Sequence, residues 1–192
     1  VVSAQDPDVK VGIGMKQIAR YESLHPHNLA QKAAIMIEHF LNTTRYKLGG
    51  KAKAMVVTSS RLHAVRYLKE FRRYIKEHNL TDIDVLVAFS GEVNDGGEKV
   101  TEQGLNIDYK GDNTNIKESQ LPERFHEDYN VLIVADKYQT GFDEPLLHTM
   151  FVDKPLSGVK AVQTLSRLNR TCPGKTDTFV LDFVNNADDI QT

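Results

Sequence analysis

The chain has 192 residues, with 24 Lys and Arg against 26 Asp and Glu and a net charge of −2. That length suits one ordinary domain with a real core. The charge balance excludes a globally basic nucleic-acid binder, so any basic surface must be local. The single cysteine, Cys172, excludes an internal disulfide and multi-cysteine zinc motifs, and fits a reducing, cytoplasmic setting. No apolar run nears the roughly 18 residues of a membrane span. The opening residues carry no Met and no signal pattern and read as mid-chain sequence, so a longer parent polypeptide is expected.

Residues 1 to about 27, punctuated by Pro7, Gly12, Gly14 and Pro26, read as a linker. Asn28 can cap a helix running to about Thr44, with Ile35, Phe40 and Leu41 among its buried positions. Gly49 and Gly50 end it, which divides the chain into residues 1–48, a linker and helix, and residues 49–192, the main domain. Gly50-Lys51 is no phosphate loop, because Ala52 stands where Ser or Thr is needed and the segment precedes a strand. Residues 54–58 form an apolar strand, followed at once by Ser59, Ser60 and Arg61. A helix over 62–77 turns Val65, Leu68, Phe71 and Ile75 inward. A strand over 83–89 ends at Ser90-Gly91. Residues 92–115 are polar and glycine-rich, longer than a normal connection; they read as a functional loop or a disordered stretch, with partial order expected. Residues 116–129 suggest a helix with Leu121 and Phe125 inward, in which Pro122 is awkward. Residues 131–134 are the clearest buried strand; a loop with Lys137, Thr140, Gly141 and Asp143 follows, then strands over 147–152 and 178–182 flanking a helix at 157–170.

Strands that are continuous apolar runs, alternating with helices, imply an α/β fold with a mostly parallel sheet covered on both faces. Ligands of such sheets sit beyond the carboxyl ends of the strands. Ser59-Ser60, Ser90-Gly91, residues 140–143 and Asp153-Lys154 all fall there. In the 157–170 helix, Val159, Val162, Leu165 and Leu168 recur as a core face, while Gln163, Arg167 and Arg170 fall at i, i+4 and i+7 on another. Two guanidinium groups on a rigid element suit a ligand with several negative oxygens, although a solvated face would look the same. Ser59, Ser60 and Arg61 suit a phosphate at a strand-to-helix junction, or serve as an ordinary N-cap. The 137–143 segment offers a lysine, a hydroxyl, a glycine for close approach and a carboxylate; a structural turn has the same composition. The seven histidines show no metal-ligand spacing.

Taken together, these residues resemble a known family. Val56-Val-Thr-Ser-Ser-Arg61 is similar to motif IV of superfamily 2 helicases, Val134-Ala-Asp-Lys-Tyr-Gln-Thr-Gly-Phe-Asp143 to motif V, and Gln163-Thr-Leu-Ser-Arg-Leu-Asn-Arg170 to motif VI. The wording of residues 140–147 and 153–171 resembles the motor (R) subunit of type I restriction enzymes, with Ser166 where many relatives carry glycine. The likeness runs from about 50 to 185. It implies a RecA-like three-layer α/β/α sandwich, the second lobe of an ATP-driven translocase of double-stranded DNA, preceded by an N-terminal helical segment. It implies Arg170 as an arginine finger, Arg167 as a second phosphate contact, and Gln163, Gly141 and Asp143 at the ATP site. Thr58, Ser59, Ser60, Arg61, Lys137 and Thr140 would follow the DNA backbone. ATP and Mg2+ would belong to the complete enzyme, whose other parts are the first lobe, the methylase and the specificity subunit, with no membrane. The chain lacks a G-x-x-x-x-G-K-[ST] loop and an Asp-Glu metal box, so alone it should hydrolyse nothing. Two other readings stay open: a non-catalytic nucleotide- or nucleic-acid-binding regulator, and a doubly wound domain for a small phosphorylated metabolite.

Overall fold

The computed structural model describes residues 24–138 and 142–184. The linker read over residues 1–23, and Thr140 and Gly141, lie outside them. Five parallel strands form one sheet in the order β2-β5-β1-β6-β7, built from β1 (Lys53–Thr58), β2 (Val85–Ala88), β5 (Val131–Val134), β6 (Leu147–Asp153) and β7 (Phe179–Asp182). Alternate residues of each strand enter opposite faces. Ala54, Val56, Val87, Ile133 and Phe151 face α1 (Pro26–Asn42) and α2 (Arg61–Glu77). Met55, Val57, Leu132, Val134 and Met150 face α4 (Leu121–Asp128) and α5 (Gly158–Leu165). The fold is a RecA-like α/β/α sandwich, its central strands β5, β1 and β6 buried along their whole length because both sides are covered.

Several expectations change in detail. The first helix is capped by His25, not Asn28, and its inner residues are Leu29, Ala33, Met36, Ile37 and Phe40. Ile35 is 49% exposed. This helix shares one apolar cluster with α2 and the sheet, so residues 26–42 are packed into the domain rather than beside it. Pro122 sits in the first turn of α4, where its missing N–H costs nothing, and a short 3-10 turn at Glu118–Gln120 replaces the expected upstream helix.

Residues 92–105 form regular structure, and 106–115 an ordered, irregular turn closed by a bridge between Ile107 and Asn115. β3 (Glu92–Asp95) and β4 (Glu98–Thr101) pair as a hairpin across Gly96-Gly97, both at positive φ, the turn that two-residue hairpins favour. A four-residue helix, α3 (Glu102–Leu105), follows. The segment covers the free edge of β2 with side chains that imitate a strand. Asn106 Oδ1 accepts from Val87 N–H at 3.0 Å, its Nδ2 donates to Val87 O at 2.7 Å, and Glu102 Oε1 accepts from Phe89 N–H at 3.1 Å. An edge strand left bare would invite pairing with another chain. Glu102 and Asn106 are buried for that reason.

Candidate functional site

A connection between parallel strands must carry the chain back to the amino end of the sheet, and this separates the site residues. At the carboxyl end, Thr58, Ser59, Ser60 and Arg61 join β1 to α2. Thr58 Oγ1 donates to Val134 O at 2.9 Å, Ser59 Oγ donates to Asp153 O at 3.0 Å, and Ser60 Oγ accepts from His63 N–H at 3.2 Å as the helix N-cap. Arg61 Nη1 donates to Ser90 O at 2.9 Å. The three hydroxyls thus hold the junction together, and Ser59 and Arg61 are exposed.

Lys137 was read as reaching outward, but its ammonium is only 11% exposed, between Glu102 at 2.7 Å and Glu118 at 2.8 Å. Its neighbours Asp136 and Tyr138 both adopt positive φ, at 56° and 62°. That conformation costs a non-glycine residue roughly 1 kcal/mol or more. Offsetting contacts are at hand. Lys154 pairs with Asp136 at 2.8 Å, and the Tyr138 ring lies 4.8 Å from that of Phe142, which is 6% exposed.

The 157–170 segment does not present one polar face. α5 stops at Leu165, and Ser166–Asn169 tightens into a 3-10 turn, which rotates everything beyond it. Ala161, Thr164 and Leu168 face the sheet, while Val159 and Val162 are 71% and 67% exposed. Gln163 is exposed, Arg167 is buried at 6% exposure, and Arg170 is exposed again. The expectation of a common outward face at the strand tips therefore fails for Arg167 by burial. It fails for Arg170 by position. The Arg170 carbonyl accepts from Lys175 Nζ, which also donates to Pro145 O just ahead of β6, so Arg170 lies at the amino end of the sheet.

Motif V and motif VI still meet. Arg170 Nε lies 3.2 Å from Asp143 Oδ1, with both side chains more than half exposed. Arg167 Nη1 approaches Met55 Sδ at 3.2 Å, and its Nε and Nη2 are buried without any hydrogen-bond partner. Burial alone pulls this guanidinium down to about 10. A buried N–H with no acceptor is rare because each costs about 1–3 kcal/mol, and more on a charged group. Nearby, an open cleft of about 800 Å³ runs along the amino ends of β1 and β5, lined by Lys53, His126, Asp128, Pro145 and Cys172 among others. Among the described residues, no three His, Cys, Asp or Glu gather as a metal ion would need.

Two buried carboxylates take structural roles that the sequence did not signal, Asp153 standing among the ligand-end residues by pattern. Asp153, 4% exposed at the tip of β6, takes hydrogen bonds from Tyr67 Oη and from Lys32 Nζ, the latter at 3.0 Å, and so ties α1 and α2 to the sheet. Glu102 is the other. A charged residue inside a glycine-rich hairpin carries no local sign of burial.

Residues 106–185 match the family model described as type I restriction enzyme subunit R domain 3. The chain is 34% identical over 190 residues to the putative type I restriction enzyme MjaIXP endonuclease subunit of Methanocaldococcus jannaschii, covering 97% of this chain and 17% of that protein. It is 29% identical over 173 residues to the type I restriction enzyme HindI endonuclease subunit of Haemophilus influenzae, covering 85% of this chain and 15% of that one. The chain thus spans about a sixth of the curated relatives it matches. Among solved structures, T4 UvsW shares the fold, with a TM-score of 0.55 and 14% identity over 90% of this chain and 28% of that one. The chain is therefore a RecA-like α/β domain similar over most of its length to type I restriction enzyme endonuclease subunits, and residues 106–185 are the part that matches their R-subunit domain 3.

Proposed function

We propose that this chain is the second motor lobe of a type I restriction enzyme R subunit, which acts in ATP-driven translocation of double-stranded DNA. The single observation that carries the reading is the Arg167 guanidinium, charged, buried and with two nitrogens lacking acceptors. A fold retains such a group when something outside it supplies the oxygens. Arg170 stands exposed immediately after the same 3-10 turn, paired with exposed Asp143, and Gln163 is exposed on the last turn of α5.

These residues fit the phosphate end of ATP. Arg167 and Arg170 would hold its oxygens, and Gln163, Gly141 and Asp143 would support them. When bound, ATP supplies the phosphoryl group whose transfer builds negative charge, which nearby guanidinium groups stabilise. Mg2+ would be held by the first RecA-like lobe of the same polypeptide, as the resemblance implies. At the carboxyl end of the sheet, Ser59 and Arg61 are exposed beside Thr58 and Ser60, which supports sequence-independent contact with a phosphate backbone there; Thr140 would join that contact. The methylase and specificity subunits would complete a cytoplasmic assembly; within the described residues, no helix is long and apolar enough to cross a membrane.

The test is DNA-stimulated ATP hydrolysis by the full-length R subunit. Arg170→Ala should lower turnover by roughly 10³-fold or more while changing ATP affinity only severalfold. Wild-type turnover with alanine at 170 would remove the finger assignment.

A further inference from the structure

We propose that Glu102 is a positioning residue that, through Lys137, fixes the loop carrying Asp143 to Arg170. This rests on the reading of the lobe given above. Glu102 lies 35 residues before Lys137, in the hairpin segment that none of the three motifs covers. Its carboxylate is anchored twice, by the Phe89 N–H at the tip of β2 and by Lys137 Nζ at 2.7 Å. Burial pushes the Glu102 carboxyl up, and the Lys137 ammonium counteracts it. The two side chains face each other in a nearly closed space, Glu102 5% and the Lys137 side chain 11% exposed.

From Lys137 the constraint passes through contacts within the loop. The lysine sits between two residues at positive φ, so the backbone there holds its shape only while the surroundings impose it. Tyr138 stacks near Phe142, Phe142 is buried beside α4, and Asp143 follows directly and meets Arg170. Glu144, 3% exposed, closes the far end with His126 Nδ1 at 2.8 Å and the Leu146 N–H at 3.1 Å. Residues 136–138 and 142–146 are thus each held by their own contacts, with the Asp143 carboxylate in the second stretch.

The geometry weighs against Lys137 as a phosphate contact. Its ammonium already faces Glu102 and Glu118, and a cleft of about 430 Å³ beside them is lined by Glu92, Glu102 and Glu118. A DNA phosphate entering there would meet three carboxylates before it met the lysine.

The experiment uses the full-length R subunit with Lys137→Met, Glu102→Gln and the pair, read three ways. Lys137→Met should lower DNA-stimulated turnover about tenfold or more, because displacing a reactive group by an ångström is enough. It should speed amide hydrogen exchange across residues 142–146. It should leave the slope of log affinity for DNA against log salt unchanged. The double variant should recover part of both losses, since a neutral amide tolerates the missing ammonium and coupled sites are not additive. A salt slope reduced by about 0.9, the value of one phosphate contact, with loop protection intact, would overturn the proposal. So would strictly additive losses. If the unaltered subunit shows no DNA-stimulated turnover, the motor reading fails, and the exchange measurement alone still decides whether Glu102 holds the loop.

Discussion

Arginine 167 allows a test in which stability and activity should move in opposite directions. Its guanidinium is 6% exposed, its Nε and Nη2 have no acceptors, and burial alone depresses its proton affinity to about 10. At about 1.4 kcal/mol per unit, keeping it charged costs the folded state about 3 kcal/mol. Methionine at 167 would retain an apolar stem against Met55 and remove the charge. Replacing buried ionic groups by apolar ones of similar volume often stabilises by about 1–4 kcal/mol. Arg167→Met should therefore raise stability by about 1–3 kcal/mol, each kcal/mol being about 2–4 °C of melting temperature in a chain of this size. Urea unfolding of this chain at pH 7 measures it, with the m-value unchanged. The sign with pH is fixed. For a base depressed by folding, the penalty is complete below the folded value and fades as pH rises through it. The advantage of methionine should thus shrink above about pH 10. In the full-length subunit the same variant should lose DNA-stimulated turnover. A lower urea midpoint for Arg167→Met would refute the reasoning, since it would mean the guanidinium is held by contacts worth more than its burial costs.

Two further changes probe the supports around the site. Tyr67→Phe removes the buried hydroxyl that donates to Asp153, and should cost about 2 kcal/mol, the value of a hydrogen bond to a charged group, seen as a lower urea midpoint. Asp95→Asn weakens the hairpin's attachment to α2. Burial pushes the Asp95 carboxyl up, but Lys69 at 2.7 Å and Arg66 at 3.3 Å outweigh it and hold the carboxyl below its usual range. A carboxyl depressed by folding contributes stability that is present above the ordinary carboxylate range and lost as pH falls through it. The loss on Asp95→Asn should be about 1 kcal/mol at pH 7, and should vanish as urea midpoints are followed below about pH 4.

The sheet was legible because its evidence is local. Val131, Leu132, Ile133 and Val134 are apolar without alternation, as a strand covered on both faces must be, and the 3.6-residue rhythm of Val65, Leu68 and Phe71 marks α2. The hairpin was misread although its signals were present, with Val93 and Val100 on either side of Gly96-Gly97; an acidic, polar composition masked a weak alternation. In the arginine segment the larger apolar residues Val159 and Val162 suggest the wrong inner face: within α5 itself Ala161 and Thr164 turn inward, and Leu168 continues that phase. The same phase exposes Val162 and buries Arg167.

Sequence by itself determined the five strands of the parallel sheet and the likeness to type I restriction enzyme subunits, since apolar runs and motif wording are properties of neighbours along the chain. Tertiary structure alone decided which charges are spent internally. Lys137 is neutralised by a glutamate 35 residues away, and Arg167 is buried against a methionine 112 residues away. Coulomb energy and desolvation depend on distance in space, and no spacing in a one-dimensional pattern reports that distance.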